Sequence, residues 1–193
     1  MTYSPLVEGA IYLSAIFSPE MIILFCWFLA VMAFSIVFLR KIKLKNVFKA
    51  DAPSFVKSCV LIVGSTAIAT ILSQMFKRIF RVARPDNALI QEIGYSFPSG
   101  HATLVTAFFL SAVVCVYLFY PKLPMPLRRL KVCVSILIIV GVCASRLVLR
   151  VHRIEDVVFG ALIGLVSVLF VQSFFKKDLT VEYKHDNNSH KSH

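Results

Sequence analysis

Residues 145–156 read SRLVLRVHRIED and lie between two apolar runs, which places this polar island at a membrane surface. Only 16% of the chain is charged, yet the island concentrates six ionisable side chains: Arg146, Arg150, His152, Arg153, Glu155 and Asp156. Two more polar islands have the same setting, KRIFRVARP at 77–85 and PSGH at 98–101. We predict that the three islands converge on one phosphate-binding site.

The rest of the 193-residue chain has the composition of a membrane protein. It is 58% hydrophobic with a mean hydropathy of +0.79, whereas soluble domains are about 45–50% apolar. The apolar residues form five clear spans, at about 21–39, 55–76, 102–120, 130–144 and 156–175. We therefore predict an all-α, membrane-embedded bundle of five to six transmembrane helices that forms one domain over residues 1–175. Gly160 and Gly164 in the last span favour close helix packing.

The two ends of the chain depart from this pattern. Residues 5–17 are apolar but too short to span a bilayer, so we predict a short interfacial or partly inserted helix within residues 1–20. Ser18 then suits the N-cap of the next helix, because its hydroxyl can accept from the first free backbone N–H groups. Residues 176–193 are polar and are predicted to form a disordered cytoplasmic tail.

The net charge of +11 is distributed unevenly between the two sides of the predicted bundle. Fourteen Lys and Arg residues lie in the 40–57 loop, the 121–131 turn and the tail, against seven in the polar islands. Because the richer side is normally cytoplasmic, the site should face the periplasm or exterior of the cell (inner) membrane. Anionic headgroups explain the charge better than nucleic acid does, and we expect neither a nucleic-acid partner nor an obligatory protein partner.

Metal-ligating residues are not grouped in the sequence. The five cysteines lie in apolar runs without a CxxC pair and are interpreted as small buried hydrophobes. The acidic residues Asp86, Glu92, Glu155 and Asp156 are scattered along the chain. We therefore expect no metal and no other cofactor.

The first island offers a histidine with an orienting carboxylate. His152 and Asp156 are four residues apart and would share a helix face. A carboxylate that holds one imidazole nitrogen as N–H leaves the other nitrogen free as a nucleophile. Arg146 and Arg150 have the same spacing, and guanidinium groups suit phosphate oxygens. A cationic membrane edge that contains a histidine by chance is the alternative.

The second island, PSGH, lies directly before a membrane helix. Ser99 is a plausible N-cap, and Gly100 lets the backbone approach a ligand closely. Unpaired N–H groups and the helix dipole make such a start an anion site, with His101 beside it as a general acid. The alternative is an ordinary capping turn with a surface histidine.

The third island, KRIFRVARP, places four cations within eight residues. Pro85 favours an extended conformation at Arg84. Side chains that snorkel from a helix end toward water are the alternative explanation.

Together the islands resemble the signature of the type-2 phosphatidic acid phosphatase superfamily of integral membrane lipid phosphatases. That signature is Lys, six residues, Arg-Pro; then Pro-Ser-Gly-His; then Ser-Arg, five residues, His, three residues, Asp. The matching positions are Lys77, Arg84, Pro85, Pro98, Ser99, Gly100, His101, Ser145, Arg146, His152 and Asp156. The resemblance covers about residues 20–175. Family members commonly have six spans, whereas this chain has five and a short N-terminal segment.

The resemblance implies a role for each matching residue. His152 would attack phosphorus and form a phosphohistidine, Asp156 would orient it, and His101 would protonate the leaving oxygen. The phosphate oxygens would be held by Lys77, Arg84, Ser99, Gly100 and Arg146. Four further cations, Arg78, Arg81, Arg150 and Arg153, fall outside the signature and are interpreted as headgroup contacts or topology charges.

The expected function is that of a metal-independent membrane lipid phosphatase acting on a phosphate monoester or diphosphate end. Undecaprenyl diphosphate, lipid A phosphate, phosphatidylglycerophosphate and phosphatidic acid all fit this description. Two alternatives remain: a lipid phosphotransferase that uses the same histidine, and a non-enzymatic lipid-binding or transport protein.

Overall fold

A computed structural model describes residues 3–41 and 52–189, and within them every regular element is a helix. The helices are α1 Pro5–Ile16, α2 Pro19–Lys41, α3 Ala52–Phe80, α4 Gly100–Phe119, α5 Met125–Val148 and α6 Ile154–Ser189. Five stretches are long and apolar enough to cross a membrane, and the first of them takes α1 and α2 together. The predicted all-α bundle of transmembrane helices is confirmed.

The N-terminal helix α1 packs against α5 as part of the bundle. Leu13 joins the core cluster that contains Val142, and Ala10 packs with Leu149. Ser18 caps α2 as predicted, because its hydroxyl accepts from the Met21 backbone N–H at 3.3 Å. The contact with α5 brings one face of α1 to the end of the bundle where the polar islands lie.

Helix α4 is the centre of the bundle, with α2, α3, α5 and α6 packed around it. Its closest neighbour is α6. Gly160 and Gly164 of α6 make this close packing possible. A Cβ on Gly160 would lie 2.7 Å from the Ser99 carbonyl oxygen, and one on Gly164 would lie 2.6 Å from the Thr103 carbonyl oxygen. Only glycine allows the two backbones to approach this closely.

Several helix boundaries differ from the predicted spans. The predicted span of 55–76 is too short at its end: α3 continues through Lys77 to Phe80, because cations are favourable in a last turn. Arg81, with φ at +48°, then takes the left-handed conformation that ends the helix. Helix α5 begins at Met125, earlier than the predicted 130, because Pro126 is tolerated in a first turn.

The C-terminal segment also differs from its prediction. Helix α6 continues to Ser189, whereas disorder is predicted from residue 176. No glycine or proline interrupts residues 165–189, so nothing in the sequence breaks the helix there. Residues 42–51, which belong to the predicted cationic loop, and residues 190–193 lie outside the described part of the chain.

The cysteine interpretation is correct in part. The buried thiols are Cys26, Cys59 and Cys115, whereas Cys133 is exposed on the outer face of α5. An apolar side chain on the outside of a membrane helix faces lipid, so Cys133 needs no place in the core.

Candidate active site

Two of the three motifs, KRIFRVARP with Arg84 and the 145–156 motif with Asp156, meet at the imidazole of His152. His152 lies between α5 and α6, and its Nδ1 is 3.4 Å from Oδ2 of Asp156 in the first turn of α6. The Asp156 oxygen also accepts the Ser96 hydroxyl and the Arg153 backbone N–H at 3.0 Å. His152 and Asp156 are only 4% and 3% exposed. The carboxylate is therefore fixed from three directions.

On the opposite edge of the ring, Arg84 approaches the second nitrogen of His152. Its Nη1 lies 3.4 Å from Nε2. A guanidinium can only donate, so Nε2 is the acceptor and Nδ1 carries the hydrogen that faces Asp156. Arg84 is itself held by the carbonyl oxygens of Gly94 and Val151, each at 3.1 Å. Nε2 is therefore the unprotonated nitrogen, and its lone pair is directed toward Arg84.

The charge state of His152 suits the predicted role of a nucleophile. Burial, together with the cations Arg84, Arg146 and Lys77, lowers the pKa of His152 to about 4. The imidazole is therefore neutral at neutral pH. A neutral ring can attack an electrophile, whereas an imidazolium cannot.

Glu92, which belongs to none of the three motifs, lies at the centre of the cationic group. One oxygen of Glu92 pairs with Arg84 Nη1 at 2.9 Å, and the other pairs with Arg146 Nη2. Although burial acts to raise the pKa of Glu92, the Arg146 and Arg84 cations hold this pKa below its ordinary value. Glu92 is thus an anion bound by the two arginines predicted to bind phosphate.

Helix α1 supplies a second residue that the motifs do not contain. The Ser14 hydroxyl accepts from Arg146 Nη1 and lies 3.3 Å from Nε2 of His101. Ser14 is 6% exposed and Arg146 is completely buried. The serine therefore links the general-acid candidate to a phosphate-binding candidate.

In the PSGH turn, Ser99 caps the helix as predicted. The turn is also hydrogen-bonded directly to Asp156 of the 145–156 motif. The Ser99 hydroxyl accepts from the Ala102 backbone N–H at 3.5 Å and caps α4. The Ser99 backbone N–H donates to the Asp156 carbonyl oxygen at 2.9 Å. Gly100 and His101 follow in the first turn of α4.

Lys77 completes the cationic group from the last turn of α3. Its Nζ donates to the Tyr95 carbonyl oxygen at 2.7 Å. This bond leaves further ammonium protons for an anion, since a lysine has three. A cavity of about 670 Å³ lies beside this group, and its polar lining includes Lys77, Arg84, Glu92, Gly100, His101 and His152.

The cavity has an apolar side as well. Pro19, Ile23 and Leu104 line it next to the charged groups. A neighbouring groove of about 380 Å³ runs between α2 and α3, is lined mainly by apolar side chains, and shares Ile23 and Thr70 with the charged cavity. A ligand with a phosphate end and an apolar body would fit the two together.

The cations outside the signature are not part of the central group. All four are exposed, and Arg78 also lines the charged cavity. Arg150 and Arg153 border a separate open cavity that reaches the other side of His152. Their interpretation as headgroup contacts or topology charges stays a prediction.

No group of three or more metal-ligating side chains that could hold an ion occurs among the described residues. Metal independence remains an expectation for experiment. The positive charge that a metal would supply could come here from Lys77, Arg84 and Arg146.

Fold and site together define a multi-pass membrane protein with a buried histidine in a cationic pocket at one end of the bundle. The model of the PAP2 superfamily matches residues 20–179, and the chain belongs to that superfamily. The resemblance inferred from the three motifs is thereby confirmed.

Two relatives are similar to this chain. Phosphatidylglycerophosphatase B of Bacillus subtilis (strain 168) is 33% identical over 113 residues, which are 55% of this chain and 53% of that protein. The match thus spans about half of the relative's length. The crystal structure of a transmembrane PAP2 type phosphatidylglycerolphosphate phosphatase from Bacillus subtilis has a TM-score of 0.68 at 22% identity, and covers 91% of this chain and 79% of that one. It shares the fold.

Proposed function

We propose that the protein is a metal-independent membrane lipid phosphatase that hydrolyses a phosphate monoester or diphosphate end through a phosphohistidine. The observation that carries the proposal is the orientation of His152, with Nδ1 toward Asp156 and Nε2 toward Arg84 in the cationic cavity. A nucleophile beside a guanidinium that binds phosphate is the arrangement that phosphoryl transfer requires, because the reaction depends on positioning and charge neutralisation.

The reaction has two steps. His152 Nε2 attacks phosphorus, the bond between phosphorus and the lipid oxygen breaks, and protonated His101 gives its proton to that oxygen. Water then attacks the phosphohistidine, His101 takes a proton from the water, and the P–N bond breaks with its electron pair returning to Nε2. Inorganic phosphate and the dephosphorylated lipid are the products. Lys77, Arg84 and Arg146, with Ser99 and the Gly100 backbone, hold the phosphate oxygens in both steps.

The apolar groove between α2 and α3 supports a lipid as the substrate, since it continues the cavity between two membrane helices. Among the candidate lipids, the name of the Bacillus subtilis relative favours phosphatidylglycerophosphate as the first to test. Undecaprenyl diphosphate, phosphatidic acid and a lipid A phosphate belong in the same panel.

The orientation in the membrane is also part of the proposal. The distribution of Lys and Arg supports an active site on the periplasmic or exterior face and a cytoplasmic C-terminal tail. Labelling of single cysteines introduced at Asn87 and at Ser189 with a membrane-impermeant maleimide in intact cells or spheroplasts tests this, in a background without the five native cysteines. We expect labelling at position 87 alone. Labelling at position 189 alone would show that the protein has the opposite orientation in the membrane.

The decisive experiment is phosphate release from the lipid panel by the detergent-solubilised full chain. Wild type is compared with His152→Ala, and with His185→Ala as a control histidine outside the matched residues. We expect release that survives EDTA, stops with vanadate and vanishes only in His152→Ala. Equal release by wild type and His152→Ala would exclude the nucleophile, and transfer to an added alcohol with little free phosphate would indicate a phosphotransferase.

A further inference from the structure

The carboxylate of Glu92 occupies the position at which the two arginines would hold a phosphate. Its two oxygens are divided between Arg84 Nη1 and Arg146 Nη2, in the manner of two oxygens of one phosphate. The same Arg84 Nη1 also lies 3.4 Å from His152 Nε2. An anion held by both arginines therefore contacts the same Arg84 nitrogen as the candidate nucleophile.

Burial explains why this site holds an anion of its own. Arg146 is completely buried, and a buried cation without a counter-anion is strongly unfavourable. Within the part of the chain that the structure describes, Glu92 is the carboxylate that pairs with either arginine. When no substrate is bound, Glu92 supplies the negative charge that Arg146 requires.

We propose that Glu92 is a resident counter-anion that the substrate phosphate must displace, and that it selects dianionic phosphate ends against phosphodiesters. The inference rests on the proposed function and adds its selectivity. A phosphodiester carries a single negative charge, as the Glu92 carboxylate does. Exchanging one for the other therefore does not strengthen the electrostatic attraction to the two arginines. A phosphate monoester carries about −1.5 to −2 at neutral pH and does gain attraction. Diester headgroups of the surrounding bilayer are thereby kept out of the site.

The displacement requires only a rotation of the Glu92 side chain. That side chain is 21% exposed and so has a path to solvent. The neighbouring backbone can stay in place, because Arg84 also binds the carbonyl oxygens of Gly94 and Ile93. Arg84 thus remains next to His152 whether its anion is Glu92 or phosphate.

The test measures binding of orthovanadate and of inorganic phosphate to the full chain in detergent by titration calorimetry. Glu92→Gln removes the competing charge and keeps the size of the side chain. We expect it to bind both anions roughly tenfold to hundredfold more tightly than wild type, the factor that one charged hydrogen bond provides. Asp86→Asn, which removes a negative charge from the same loop, should bind them as wild type does.

A second measurement addresses selectivity. Phosphatidylglycerol, a monoanionic phosphodiester, is added to micelles that contain the protein and orthovanadate. It should weaken vanadate binding to Glu92→Gln and leave wild type unchanged. Vanadate binding to folded Glu92→Gln that is equal to wild type or weaker would overturn the proposal, as would equal phosphatidylglycerol competition in both proteins.

Thermal unfolding of each variant, with and without vanadate, accompanies these titrations. A Glu92→Gln protein that regains its stability when vanadate is added supports the proposal. If Glu92→Gln does not fold in either condition, Glu92→Asp is used instead. Its shorter side chain cannot bridge both arginines, so it should bind vanadate more tightly than wild type but less tightly than is expected of Glu92→Gln. Anion binding does not depend on lipid turnover, so tighter binding without phosphate release from the lipid panel would count against the proposed hydrolysis and leave the counter-anion role of Glu92 standing.

Discussion

Asp156 holds His152 both directly and through Ser96. The direct contact joins His152 Nδ1 and Asp156 Oδ2 at 3.4 Å. In the second, the Ser96 hydroxyl lies 3.3 Å from the same Nδ1 and donates to the same Oδ2. The orientation of the His152 ring thus depends on the Asp156 carboxylate, which is itself held by Ser96 from the connection between α3 and α4.

Replacing Asp156 by Asn should therefore impair catalysis more than folding. The amide can present N–H to Nδ1, which favours the hydrogen on Nε2 and removes the lone pair that is proposed to attack phosphorus. We expect kcat for lipid phosphate hydrolysis to fall by about 10²–10⁴-fold. Glu155→Gln changes the neighbouring exposed carboxylate and should leave kcat unchanged. A loss of less than threefold in Asp156→Asn would mean that the carboxylate does not set the tautomer.

Ser14→Ala tests the contribution of α1 to the site. The substitution leaves a donor of the buried Arg146 guanidinium without its acceptor and frees His101 on one side. The free energy of unfolding should fall by about 1–3 kcal/mol, with a loss of activity. Ser35→Ala, at an exposed hydroxyl that donates to the Val31 carbonyl oxygen of its own helix, is the control. Unchanged unfolding and activity in Ser14→Ala would show that this contact is dispensable.

Gly160→Ala should separate α4 from α6, the two helices whose first turns carry His101 and Asp156. The new Cβ would lie 2.7 Å from the Ser99 carbonyl oxygen, so α4 and α6 must move apart at the PSGH turn. Such overpacking costs about 1–3 kcal/mol of stability, and kcat/KM should fall because Ser99 and Asp156 shift relative to each other. Gly9→Ala, where a Cβ meets no atom of the described residues within 4 Å, should have little effect on either quantity. Full activity in Gly160→Ala would indicate that the helix pair tolerates a wider spacing.

Protonation of His152 should make stability depend on pH. Its folded pKa of about 4 is below the ordinary 6.5, so the unfolded chain binds the proton more tightly. The contribution to stability is complete above pH 6.5 and is lost as the pH falls through 4, with a slope of at most about 1.4 kcal/mol per pH unit. In detergent, wild type should lose unfolding free energy more steeply in this window than His152→Gln. Parallel curves would contradict a depressed pKa.

The sequence predicted the parts of this molecule that follow from strong physical constraints. Long apolar runs become helices because lipid leaves no other way to satisfy the backbone, and the structure has helices in all five predicted positions. The three polar islands lie where helices end, and the structure brings His152, Asp156, His101 and Arg84 to one end of the bundle. The roles of these residues in catalysis stay predictions.

Residues without a local pattern could not be predicted. Ser14 stands in an apolar segment, and only the packing of α1 on α5 brings its hydroxyl to Arg146. Ser96 and Glu92 lie in a connection without regular structure, where spacing carries no information about direction. Their place in the site depends on the path of residues 81–99, which the sequence does not specify.

The hydrogen bond from the Ser99 backbone N–H to the Asp156 carbonyl oxygen has a consequence for biosynthesis. It joins the start of α4 to the start of α6, which is made after all the other helices. A growing chain that ends before His152 carries Lys77, Arg84 and His101 but has no candidate nucleophile. On the proposed function, the reaction centre therefore forms only when the last helix has joined the bundle, and an incompletely inserted chain would not hydrolyse the lipids around it.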